Sequence, residues 1–330
     1  MTPDGRSTRP RRRFLAGSLG AAAGLAAIPR RSVRADDSAA AVLIDSHVHF
    51  YDPGRPEGVP WPAKDDKVLY RPVFPDEWEK LVAAYGPAGA IVVEASPWVE
   101  DNQWVLDLAD RHATSRGPGS LGIVGVVGNL PLGDDACGRL IDRFAAHRLF
   151  KGIRTNGDAL LAGLASPAHA GHVAQLAERG LALDLNGGSV FAAALAVTER
   201  FPDLRVVIDH LANTRVTPDG PLAGWRDDVA RVADRPGVFM KVSGVAESAF
   251  FAMKPARAPV DPRFYEPWFA AVWKAFGGRR LMYGSNWPVS DLAATYADVH
   301  GIVAPFVRGQ GPDAERWFFS ETSRAAYRWT

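Results

Sequence analysis

From residue 42 onward the chain repeats one pattern: a short β-branched apolar run, a loop, then an alanine- and leucine-rich stretch with helical spacing. The apolar runs fall at 42–46, 90–95, 121–127, 150–154, 181–185, 204–209, 238–242 and 280–284. Several are continuous, such as Ile91-Val92-Val93 and Val206-Val207-Ile208, as expected of parallel strands covered on both faces. Helical patterns lie between them, for example at 102–112, 167–179, 190–201 and 267–276. Eight strands alternating with helices predict an α/β fold, a closed (β/α)8 TIM barrel. An open doubly wound sheet is disfavoured, because no glycine-rich phosphate loop follows the first strand. Two connections, 50–75 and 244–265, are long and rich in proline and aromatic residues, which predicts ordered lids or pocket walls. The terminal run Trp317-Phe318-Phe319, with Tyr327 and Trp329, is expected to pack a last helix onto the barrel.

Charge divides the chain in two. Eight of its 38 basic residues but only one of its 37 acidic ones lie in residues 1–35, so the remainder carries 30 against 36, a net −6. That mildly acidic body lacks the basic footprint of a nucleic-acid binder. The first 35 residues read as an address. Arg11-Arg12-Arg13-Phe14-Leu15 resembles a twin-arginine export signal, followed by an Ala/Gly/Leu stretch to Ile28 and a cleavage site at Val33-Arg34-Ala35. A membrane anchor is disfavoured, since the apolar run is shorter than the ~20 residues a spanning helix needs. The expectation is an exported protein, periplasmic or extracellular, with a barrel domain at 36–330. The single cysteine, Cys137, excludes an intramolecular disulfide and cysteine-rich zinc sites.

In parallel barrels the chemistry sits where strands end. The first strand ends in Asp45-Ser46-His47-Val48-His49, the second in Glu94 with Trp98 beyond, the fourth in Arg154, the fifth in Asp184, the sixth in Asp209-His210, the seventh in Lys241 and Ser243, and the eighth in Ser285-Asn286-Trp287-Pro288. Residues i and i+2 of an extended chain point the same way, so His47 and His49 are expected to present two imidazoles to one point. With His210 they form a candidate metal site, zinc being preferred on ligand type. The alternative is hydrogen-bonded histidines without a metal. Arg154 and Lys241 are candidate partners for a substrate carboxylate or an oxyanion. Salt bridges to acids such as Asp184 or Glu247 are the competing role for Lys241. Trp98 and Trp287, with Asp184, complete the candidate substrate contacts.

Three stretches carry a family resemblance: Ile44-Asp45-Ser46-His47-Val48-His49-Phe50-Tyr51-Asp52-Pro53, Ile208-Asp209-His210-Leu211-Ala212-Asn213, and Leu281-Met282-Tyr283-Gly284-Ser285-Asn286-Trp287-Pro288-Val289. In this order they resemble the amidohydrolase-related family of the amidohydrolase superfamily, which includes L-fuconolactonase-like and pyrone dicarboxylate lactonase-like enzymes and some metal-dependent decarboxylases. The resemblance implies that His47, His49 and His210 face the substrate, with or without one divalent metal. It also implies a water-activating aspartate at the eighth strand end, where this chain has Asn286. An amide does not take a proton near neutral pH. The base is therefore expected elsewhere: Glu94 first, His210 second, Asp184 third. The function that follows is hydrolysis of a lactone, such as a sugar-acid lactone, with a small molecule as the sole implied partner. Alternatives are a metal-dependent decarboxylase and a non-catalytic binding protein, the latter resting on Asn286.

Overall fold

The computed structural model describes residues 42–117 and 119–330; the expected export signal at 1–35 lies outside them. Eight strands form one all-parallel sheet in chain order: β1 Leu43–Val48, β2 Ala88–Val93, β3 Ser120–Gly128, β4 Phe150–Asn156, β5 Ala182–Asn186, β6 Arg205–Ile208, β7 Val238–Val242 and β8 Leu281–Tyr283. Every strand end lies within two residues of its expected position. The sheet closes through the segment after β8: Asn286 N–H donates to His47 O at 2.8 Å, and His49 N–H donates to Trp287 O at 2.9 Å. Helices such as Val99–Ala113, Pro167–Glu178, Val190–Arg200 and Pro262–Phe276 form the outer layer. Among the described residues no helix is long and apolar enough to cross a membrane.

Alternation along each strand divides the side chains between two apolar layers. Ala90 and Val92 face the helices, while Ile91 and Val93 join Ile44, Val207 and Met282 inside the barrel. The chain's last turn plugs the opposite end of the barrel from the histidines. Tyr327 and Trp329 are buried against the interior residues, and Arg205, at the start of β6, donates through Nε to Ala326 O at 2.6 Å. The terminal aromatic run thus does more than pack on the outside: part of it forms the barrel floor.

The second long connection departs from expectation. Residues Val245–Met253 form a helix rather than a loop. Gly244, at φ 63°, makes the left-handed turn out of β7, and Val245, Ala246 and Ala249 bury one face of the helix.

Candidate active site

β1 and the segment after β8 are tied together by a buried carboxylate. Asp45 is fully buried; its Oδ1 accepts from Ser285 N–H at 2.8 Å and its Oδ2 from the Tyr296 hydroxyl at 3.0 Å. This ties the His-x-His segment to the eighth strand end. Glycine makes room beside it: a Cβ on Gly284 would lie 2.8 Å from His47 Cβ. His210 begins four consecutive residues with φ between 50° and 62°, a left-handed turn through Asn213. Such residues cost about 1–2 kcal/mol each, and strain of this kind collects where a side chain must be aimed. The turn leaves His210 Nδ1 2.9 Å from Ser243 Oγ.

The ring centroids of His47 lie 5.0 Å from those of His49 and 4.3 Å from those of His210. Their nitrogens have different partners. His47 faces down the barrel, with Nδ1 3.3 Å from Lys241 Nζ and 3.6 Å from Asp209 Oδ1. His49 donates from Nδ1 to Val93 O at 3.0 Å, and its Nε2 lies 3.2 Å from Asn286 Oδ1. Burial, with nearby Lys241, holds the His47 pKa well below its usual value. Burial and the Arg154 charge lower His49 to about 3. Burial lowers His210 to about 4, although Asp209 pulls the other way. Burial thus favours the neutral form of all three imidazoles.

Beneath them runs a column of alternating charge. Tyr327 donates to Asp184 Oδ2 at 2.7 Å, and Lys241 Nζ stands 2.6 Å from the same oxygen and 3.0 Å from Asp209 Oδ1. Arg154 NH1 is 3.8 Å from Asp209 Oδ2, and Arg154 Nε donates to Glu94 Oε1 at 2.9 Å. Burial opposes the Asp209 charge, but Lys241, His47 and His210 hold its carboxyl well below the usual range.

Above the column opens a cavity of about 770 Å³, lined by His49, Glu94, Arg154, His210, Glu247 and Asn286. Trp61 and Phe251, from the two long connections, form walls. Several expected substrate contacts lie elsewhere. Lys241 and Asp184 are fully buried below the histidines, because each is the other's counter-ion inside the barrel. Trp98 precedes the helix Val99–Ala113 and turns outward, 40% exposed, into a separate cleft. Trp287 is buried against Phe50. Conversely, Glu247 and Asp209 have a larger part in the site than the sequence suggested. Asn286 Nδ2 donates to Glu247 Oε1 at 2.8 Å while its Oδ1 lies 3.2 Å from His49 Nε2, so one amide stands between His49 and Glu247.

The donor set for a metal also differs from the three histidines. His47, Asp209 and His210 place ligand atoms within 4.8 Å of one another, whereas His49 falls outside that group. Both Asp209 oxygens are buried without a hydrogen-bond partner among the described residues. Two imidazoles and a carboxylate suit zinc or a similar divalent ion. Lys241 and Arg154 already flank Asp209, so an ion there would share that carboxylate with two cations.

The amidohydrolase family profile matches residues 44–329. L-fucono-1,5-lactonase of Burkholderia ambifaria is 30% identical over 296 residues, covering 86% of this chain and 95% of that protein. A crystal structure of an amidohydrolase from Burkholderia multivorans with bound zinc superimposes with a TM-score of 0.73 at 30% identity, over 88% of this chain and 100% of the other. A putative 2-pyrone-4,6-dicarboxylic acid hydrolase from Pseudomonas putida, at 18% identity and a TM-score of 0.65 over 87% of this chain and 98% of that one, shares the fold. With its eight-stranded barrel and its histidines at the strand ends, the chain belongs to the amidohydrolase family.

Proposed function

We propose that the protein hydrolyses a lactone of a sugar acid, with L-fucono-1,5-lactone as the first substrate to test. The observation that carries this reading is Arg154, which lines the cavity with neutral His49 and His210 beside it and is held in place by Glu94. A fixed guanidinium suits an oxygen that becomes negative as water adds to an ester carbonyl. Neutral His210, with Nδ1 beside Ser243 Oγ, keeps Nε2 to offer a hydrogen bond without further charge, whereas the one N–H of His49 is given to Val93 O. The relatives named L-fucono-1,5-lactonase support the substrate class. A divalent ion held by His47, Asp209 and His210 would add Lewis-acid polarisation of that carbonyl. The binding-protein alternative rested on the missing carboxylate at 286, and Glu247 places a carboxylate one hydrogen bond away.

The test is acid release from a panel of 1,5- and 1,4-aldonolactones, with metal content measured on the same preparation. Turnover of at least one sugar lactone is expected. No turnover across the panel, with or without added zinc, overturns the reading.

Export by the twin-arginine route belongs to the same proposal and rests on Arg11, Arg12 and the apolar stretch after them. Replacing both arginines with lysine is expected to retain the protein in the cytoplasm, and mass spectrometry of exported parent should give a start near Asp36. Normal export of the double variant overturns it.

A further inference from the structure

Hydrolysis at neutral pH requires a group that accepts a proton from water, and the barrel mouth has several carboxylates to offer. Most are already committed. Asp184 and Asp209 lie below the histidines, 2.6 and 3.0 Å from Lys241 Nζ. Of the carboxylates lining the cavity, Glu94 has its Oε1 2.9 Å from both Nε and NH2 of Arg154. Glu247 also lines the cavity and has no cation at ion-pair distance among the described residues. Its Oε1 accepts from Asn286 Nδ2, and its buried Oε2 has no hydrogen-bond partner among the described residues. An uncommitted buried oxygen costs about 1–3 kcal/mol and calls for an explanation.

We propose that Glu247 is the general base of the reaction, and that Asn286 is its positioning residue. This rests on the lactone-hydrolase reading above. Glu247 lies in the first turn of the helix Val245–Met253, which follows β7 and forms one wall of the cavity. The Glu247 carboxylate, which lines the cavity, takes a proton from water as the water oxygen bonds to the lactone carbonyl carbon. The carbonyl electron pair moves onto its oxygen, facing Arg154. When that pair returns, the ring carbon–oxygen bond breaks, and the ring oxygen leaves with the proton that Glu247 had taken. The net change is addition of one water, giving the open hydroxy acid.

Asn286 suits such a base better than an acid would. Its amide donates to the ionised carboxylate and, turned by half a rotation, accepts from the protonated one. Both protonation states of a buried group are thereby satisfied. Aspartate at 286 would face Glu247 with a second negative charge. Burial raises the Glu247 pKa to about 7; the Asn286 hydrogen bond lowers it and the charge of Asp291 raises it. Tyr265 and Tyr283 are the other titratable groups that feel its charge, and neither brings a positive charge. A base with that pKa is half ionised at neutral pH, where proton transfer is most efficient.

The experiment is a charge swap assayed on a lactone that the parent hydrolyses. Glu247→Gln is expected to lower kcat by about 10²–10⁴-fold with KM within about threefold. Asn286→Asp alone is expected to lower kcat as well, because two touching carboxylates retain a proton between them. The double variant E247Q/N286D moves the carboxylate by one hydrogen bond and keeps one donor facing one acceptor. It should exceed E247Q by at least about tenfold in kcat. Parental kcat in E247Q, a rise in KM alone, or no rescue in the double variant overturns the assignment. If E247Q does not fold, the parent decides: kcat/KM should climb through a midpoint near the Glu247 pKa, and a flat profile between about pH 5 and about pH 9 overturns it. A parent that hydrolyses no lactone overturns the function itself. An active parent with an unaffected E247Q overturns the base alone.

Discussion

Arg154→Met is expected to lower kcat for lactone hydrolysis by about 10²–10³-fold, the loss that follows removal of a single donor to an oxyanion. Arg154 lies in β4, with Nε bonded to Glu94 Oε1 and NH2 donating to Glu94 O at 2.8 Å. Two of its nitrogens are thus fixed by one residue, and NH1 lies 3.5 Å from His47 Nε2 and 3.8 Å from Asp209 Oδ2. Methionine keeps the stem and removes the fork. Arg154→Lys keeps the charge as a point without the planar donors, so its kcat should fall between parent and methionine variant. Steady-state kinetics on the best lactone of the panel separate two roles. A fall in kcat at constant KM marks charge stabilisation in the transition state. A rise in KM alone moves Arg154 to binding a substrate carboxylate in the ground state. A methionine variant within about threefold of the parent in both would remove Arg154 from the reaction.

The barrel was legible because strand burial on both faces writes itself into the chain as runs such as Val206-Val207-Ile208. Strand ends then located the histidines, since one fold rule assigns them to one rim. What the pattern did not carry was depth. Lys241 and Arg154 both follow from strand-end reading, yet Lys241 turns inward to Asp184 and Arg154 reaches the cavity. Periodicity says which face of a strand a residue takes, and it does not say which residue of another strand waits there. His47 and His49 share a face as expected, but their nitrogens diverge because Asp209 and Val93 O pull them apart. Glu247 was missed for a related reason. It lies in a proline-rich, aromatic connection expected to be a loop and to offer its acid to Lys241, whereas Lys241 pairs with Asp184 and Asp209. One signal was present: Val245-Ala246-Glu247-Ser248-Ala249-Phe250-Phe251 is an apolar helical stretch with a single charged residue. An acid alone on such a helix is either exposed or buried for a purpose.

The largest stability effect is expected at Lys241. Its ammonium is fully buried, 2.6 Å from Asp184 Oδ2, 3.0 Å from Asp209 Oδ1 and 3.3 Å from His47 Nδ1, and it lies 5.4 Å from the Tyr327 ring centroid. Lys241→Met keeps most of the apolar stem and leaves two buried carboxylates without their shared cation. Removing one partner of a buried ion pair costs about 3–5 kcal/mol, far more than the pair contributes relative to an apolar replacement of both. Urea unfolding at pH 8 should therefore give a deficit in that range with an unchanged m value. The pH dependence follows from Asp184. Burial raises its carboxyl to about 6, against the pull of Lys241 and the Tyr327 hydroxyl. A carboxyl raised above its unfolded value binds more protons in the folded state, so its ionisation costs stability as pH rises through that window. Without Lys241 the pKa climbs further, and the cost grows over a wider range. The deficit of the methionine variant should be greatest at pH 8 and shrink as both proteins are taken towards about pH 4, where Asp184 is protonated in the parent as well. Lys241→Met/Asp184→Asn, which removes one of the stranded charges, should recover part of the loss. A deficit under about 1 kcal/mol at pH 8, or one that grows on acidification, would mean that the column of charge is not held by Lys241.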